Sequence, residues 1–205
     1  MEKIIDRAQY YKADYEGFAI FLITRAYNDL QINSSMFESV KGKLSGEVQI
    51  YLFKLLTAHL KETLKLLAKI KSSGRFNGIM TKWEKNPIVK KCLTDISDEL
   101  ENPNDYKNTI NAKYLNFRNE VFHYGSNSND FEEYKKIQQE LNDKKLDVLI
   151  RKDNSNKYIH EIGVDIQISQ GIFDEQAIEE VNNLKTKVQL ILREILNDYL
   201  NEQSI

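Results

Sequence analysis

The chain has 205 residues, 41% of them apolar and 29% charged, with eight glycines, two prolines and a formal net charge of −2 at pH 7. That balance fits one folded domain and excludes collagen-like and Pro/Gly-rich disordered chains. A single cysteine, Cys92, excludes an internal disulfide framework and a zinc site built on cysteines.

No apolar run approaches the roughly 20 residues that a membrane span needs. Met1-Glu2-Lys3 leads into a helical pattern rather than a signal-peptide apolar block. The expectation is a cytoplasmic protein with no membrane association. The near-neutral total gives no global signal for nucleic acid. Residues 1–100 nevertheless hold 16 Lys/Arg and 12 Asp/Glu, against 13 and 19 in residues 101–205. Arginine is scarce: Arg7, Arg25, Arg75, Arg118, Arg151 and Arg193 are the only six. Each is a candidate for work that needs a planar, bidentate donor.

In chain order, Ile4, Ala8, Tyr11, Tyr15, Phe18, Leu22 and Ala26 recur at spacings of four and three. This is one apolar stripe of a first amphipathic helix. Ser34 and Ser35 suit the N-cap of a second helical stretch, which Gly42 and Gly46 interrupt. Glu47 to Lys71 is strongly helical, Gly74 is a stop, and residues 74–78 read as a loop. Pro87 suits the first turn of a helix running to about Glu101. Asn102-Pro103-Asn104-Asp105 breaks it. The next helix carries Ile110, Tyr114, Phe117 and Val121 and meets the polar loop 125–129. A shorter helix spans Phe131 to Asn142.

The period then changes from helical to alternating. Leu146, Val148 and Ile150 alternate with other residues, as do Ile162, Val164, Ile166 and Ile168. Asp153-Asn154-Ser155-Asn156 supplies the turn between the two runs. Asp174 suits the cap of a last helix, in which Ala177, Val181, Leu184, Val188, Ile191 and Ile195 form a 4-3-4-3-4 seam. The expectation is one domain over residues 1–205. It is a predominantly all-α helical bundle, with a small β-hairpin inserted at about 145–169 before the final helix.

Phosphate-binding loops, HExxH, GxSxG and EF-hand patterns are absent. His59, His123 and His160 are too dispersed for a local metal motif, so neither a metal nor a cofactor is expected. One segment carries chemistry: Phe117-Arg118-Asn119-Glu120-Val121-Phe122-His123-Tyr124-Gly125. Asn119 and His123 share a helix face. Arg118 and His123, at i and i+5, lie about 140° apart on a regular helix. They converge only if the helix loosens near Gly125 or a second copy supplies the opposite group. An imidazole can exchange protons at an RNA phosphodiester. A guanidinium can stabilise charge on the phosphoryl oxygens, and Asn119 can orient either partner. The plainer reading is that Arg118 and His123 cap helix carbonyls and complement the helix dipole.

The run Arg118-Asn119-Glu120-Val121-Phe122-His123 resembles the RNxxxH form of the R-x4-6-H motif of HEPN domains. The resemblance covers six residues in the setting of a helical bundle. Asn119 matches the family's usual polar residue after the arginine. The resemblance implies a metal-independent endoribonuclease acting as a toxin or phage-defence effector. RNA would be its substrate and an antitoxin protein a possible partner. It also implies a homodimer that pairs two motifs across its interface, with Arg118, Asn119 and His123 catalytic. A toxin branch of the family carries R-x4-H-x-Y. Here Tyr124 follows His123 directly and Gly125 takes the tyrosine's place, so that branch's tyrosine modification is not expected; Tyr124 is a candidate substrate contact, set against an ordinary core aromatic. The alternative is a non-catalytic module of this type that binds RNA, a nucleotide or a protein.

Lys54, Lys61, Lys65 and Lys69 fall within about an 80° arc of one helix. Lys61, Lys65 and Lys69 are candidate contacts to an RNA backbone, set against a solvated helix face. His59 is read as a partly buried structural residue, Trp83 as a partly exposed packing residue and Cys92 as a small buried hydrophobe.

Overall fold

The computed structural model describes residues 10–40, 46–76, 78–105, 107–114, 149–152, 158–161 and 175–202. In chain order these form α1 (Tyr15–Val40), α2 (Gly46–Ser72), a 3-10 turn (Gly74–Phe76) and α3 (Ile79–Trp83). Then come α4 (Pro87–Asp95), α5 (Ser97–Glu101), α6 (Ile110–Lys113), β1 (Leu149–Lys152), β2 (Tyr158–Glu161) and α7 (Glu175–Glu202). The fold is predominantly helical, as the periodicity predicts.

Three long helices carry the core. α1 lies along α2, and α7 packs on α1 and α4 and also touches α2. The heptad-like seam of α7 is buried throughout, with Val181, Val188, Ile191 and Ile195 fully enclosed. α2 contributes Leu56, Leu60, Leu64 and Leu67. These repeats at three and four residues turn one stripe of each helix inward, and burial of that stripe supplies most of the helix stability.

The first helix differs from its sequence reading at both ends. The chain bends at residues 11–14, and α1 starts anew at Tyr15. Asp14 caps this start: its Oδ1 accepts the Gly17 N–H at 2.7 Å. Gly17 is required by space. A Cβ there would lie 2.1 Å from the Lys12 carbonyl oxygen. The face of α1 turned to the core is Ala19, Ile20, Ile23 and Leu30. Of the expected apolar stripe, Tyr15 and Phe18 are 57% and 50% exposed. At the other end, Ser34 and Ser35 do not cap a second helix, because α1 runs through them to Val40. The Ser34 hydroxyl instead accepts from Gln189 Nε2 on α7 at 3.4 Å.

Pro87 occupies the first turn of α4 as expected, and Asn86 caps it by accepting from the Ile88 and Val89 N–H groups. The single helix expected up to Glu101 is two. Ile96, at φ −117° and ψ 15°, separates α4 from α5, and the break turns Glu99 and Leu100 inward.

The hairpin is antiparallel, pairing Leu149 with Glu161 and Lys152 with Tyr158. It falls inside the expected insertion, but the second strand precedes the alternating run that begins at Ile162. That run, the helix expected at 131–142 and the cap at Asp174 lie outside the described residues.

Candidate functional site

The chain leading into the Arg118–His123 run starts at α6, and its start is held by side chains from elsewhere. Asp105 forms a local turn: its carboxylate accepts from the Lys107 N–H at 3.0 Å and from Asn108 Nδ2 at 2.7 Å. The Asn108 side-chain hydrogen bond, followed by the Lys107 N–H, holds the Asp105 carboxyl below its ordinary pKa. Thr109 then caps α6, its hydroxyl accepting from the Ala112 N–H at 3.2 Å and donating to the Asp105 carbonyl at 2.9 Å.

The two preceding helical N–H groups go to Glu99. Ile110 N–H donates to Oε1 at 2.6 Å and Asn111 N–H to Oε2 at 2.8 Å. One carboxylate thus satisfies two donors that a helix start leaves unpaired. Glu99 is only 7% exposed. Burial raises its pKa, while the hydrogen bonds from Asn111 and Ile110 oppose the rise. Asn111 is buried, and its Oδ1 has no hydrogen-bond partner among the described residues. Sequence reading misses Glu99, because its partners lie 11 and 12 positions away and no local spacing marks that pairing.

Arg118, Asn119, His123 and Tyr124 lie outside the described residues. Of the candidate backbone contacts, Lys65 and Lys69 are exposed on α2, and Lys65 pairs with Glu62 at 3.1 Å. Lys61 is only 6% exposed, and Lys54 is also buried. These two sit beside the apolar stripe of α2, where long aliphatic stems pack against the core. The four lysines therefore do not form one continuous solvated row. His59 is partly exposed, its Nδ1 3.6 Å from Asp29 Oδ2. Trp83 is buried, not partly exposed, and Cys92 is buried. Burial, followed by the nearby Asp95 charge, raises the Cys92 thiol pKa, so the thiolate is disfavoured.

A second concave region joins α1, α3 and α7. It is a cavity of about 350 Å³ whose lining includes Glu16, Lys82, Asn86, Asp198, Tyr199 and Glu202. Lys82 Nζ lies 2.5 Å from both Glu16 Oε1 and Glu202 Oε2. Burial works against the ammonium, but hydrogen bonds to the two carboxylates outweigh it and the Lys82 pKa is raised. Asn86 Nδ2 donates to Asp198 Oδ2 at 2.8 Å. Tyr199 donates its hydroxyl to the Tyr10 carbonyl at 2.7 Å. Lys82 thus links α3 to α1 and α7, while Asn86 and Tyr10 tie the segments before α4 and α1 to α7. Among the described residues no group of three His, Cys, Asp or Glu side chains has the geometry to hold a metal ion.

The chain matches no protein-family model, no curated protein and no solved structure. Among the described residues no helix is long and apolar enough to cross a membrane.

Proposed function

We propose that this protein is a metal-independent endoribonuclease of the HEPN type, acting as a homodimer in a toxin–antitoxin or phage-defence setting. One observation carries the reading: the Arg118-Asn119-Glu120-Val121-Phe122-His123 run within a chain that folds predominantly as a helical bundle. The start of α6 at Ile110, held by Glu99 and Thr109, lies seven residues before Phe117 and leads toward that run.

In the proposed reaction a neutral imidazole takes the proton from an RNA 2′-hydroxyl, whose oxygen attacks the adjacent phosphorus. Charge gathers on the phosphoryl oxygens, where Arg118 donates two hydrogen bonds. An imidazolium gives a proton to the departing 5′-oxygen, so that the products are a 2′,3′-cyclic phosphate and a 5′-hydroxyl. His123 fills either proton-transfer role, and in a homodimer its two copies divide them. Asn119 orients the imidazole. The antitoxin would be a protein that blocks this site.

The test is incubation of the purified protein with structured RNA in excess EDTA, beside His123→Ala and Arg118→Ala. Cleavage is expected to persist in EDTA and to vanish in both variants. Loss of cleavage in EDTA, or cleavage by both variants, overturns the reading. The second reading, a non-catalytic module binding RNA, a nucleotide or a protein, is favoured by the net charge of −2. RNA binding without cleavage by the unmodified protein would select it.

A further inference from the structure

The start of α1 exposes aromatic surface that the bundle does not use. Tyr15 and Phe18 are 57% and 50% exposed, although they sit one helical turn apart beside a fully buried neighbour, Ala19. Both rest on Phe76, which is buried in the 3-10 turn. The Phe18 ring lies nearly parallel to Phe76, at 18° and with centroids 6.3 Å apart, while Tyr15 stands edge-on to it at 81°. Phe76 thus fixes both rings from beneath and leaves an outer aromatic face open. In front of them is a cavity of about 270 Å³ lined by Ala13, Asp14, Tyr15 and Phe18.

The charges around this face favour one occupant. Arg75, next to Phe76, and Lys12, whose backbone packs against Gly17, are both exposed. Neither forms an ion pair among the described residues. The carboxylate of Asp14, held through Oδ1 by the Gly17 N–H, lines the floor and presents an acceptor. Fixed aromatic faces with exposed cations on neighbouring residues, and a carboxylate acceptor in the cavity lining, match the stacked bases and flanking phosphates of a single strand. A base with an exocyclic amine suits the Asp14 acceptor.

We propose that Tyr15 and Phe18, with Arg75 and Lys12, form a stacking platform for single-stranded RNA. The choice of RNA rests on the proposed ribonuclease activity; the platform itself is argued from the rings and charges. It would set affinity rather than chemistry.

The probe is a fluorescein-labelled ten-nucleotide oligoadenylate, its binding followed by anisotropy in the His123→Ala background so that the strand stays intact. Tyr15→Leu and Phe18→Leu keep apolar cover over Phe76, and circular dichroism confirms folding. Each is expected to weaken binding about fivefold or more, the loss of one base–aromatic stack. Arg75→Ala is expected to reduce the salt slope of log K by about one. Tyr51→Leu, which removes an exposed ring on α2, is expected to change nothing. Unchanged affinity in both ring variants overturns the platform. So does a ring variant that binds RNA normally but shifts the sedimenting species from dimer to monomer, which would make this face a contact between copies. If the protein with His123 intact cleaves no RNA yet the ring variants lose affinity, the platform stands and the ribonuclease reading falls.

Discussion

Gly17→Ala is expected to lower stability by about 2–3 kcal/mol, the upper part of the range for forcing extra volume into a packed site. For a chain of this size that corresponds to a fall in melting temperature of roughly 4–12 °C. The added methyl group would sit 2.1 Å from the Lys12 carbonyl oxygen, 2.7 Å from its nitrogen and 2.9 Å from its carbonyl carbon. All three are backbone atoms, so no rotamer change relieves the clash and residues 10–14 must move as a unit. Tyr10 moves with them, and its carbonyl would lose the Tyr199 hydroxyl. Asp14→Ala separates the two roles of this corner. It removes the cap on the Gly17 N–H without adding volume, and is expected to cost only about 1 kcal/mol. Thermal melts of the two variants check the ranking; equal losses would mean that space at Gly17 is not the constraint.

Glu99→Ala is expected to cost about 3 kcal/mol. It leaves the Ile110 and Asn111 N–H groups without their acceptor, and an unpaired buried donor costs about 1–3 kcal/mol. Urea melts give the stability, and hydrogen exchange at the Ile110 and Asn111 amides reports where it is lost. Glu99→Gln keeps one acceptor oxygen and is expected to lose less. The two proteins also differ in pH response. Burial raises the folded pKa of Glu99 above its ordinary value of 4.5, so the folded state holds the proton more tightly than the unfolded one. Stability from this group therefore falls as pH rises from the unfolded value through the folded value, and returns on acidification. The advantage of the parent over Glu99→Gln should widen as pH drops from 7 toward 4.5. A constant gap would show that Glu99 titrates alike in both states.

These two residues also show where sequence reading stops. The cores of α2 and α7 were legible because burial follows the 3.6-residue period, and the Pro87 start was legible because proline and its cap act locally. The bend before Tyr15 was not. Tyr11, Tyr15 and Phe18 keep helical spacing across it, although the chain bends at residues 11–14 and Asp14 caps a new start. Tyr15 and Phe18 face outward after the bend, a result no periodicity contains. Ser34 has the chemistry of a cap but meets Gln189, 155 positions away. Glu99 reads as an ordinary surface carboxylate until α6 is placed beside it. For the candidate site the balance is reversed: Arg118, Asn119 and His123 come from the sequence alone, and the structure contributes the anchored helix start upstream of them.

The buried seam of α7 also bears on how the protein is made. α1, α2 and α4 each leave an apolar stripe that the residues from Ala177 to Tyr199 cover. On the ribosome those stripes emerge first, and at about 5–20 residues per second the covering helix follows many seconds later. During that interval the nascent chain has helices without a closed core. A chaperone, or a second nascent chain, would meet its exposed leucines before α7 does.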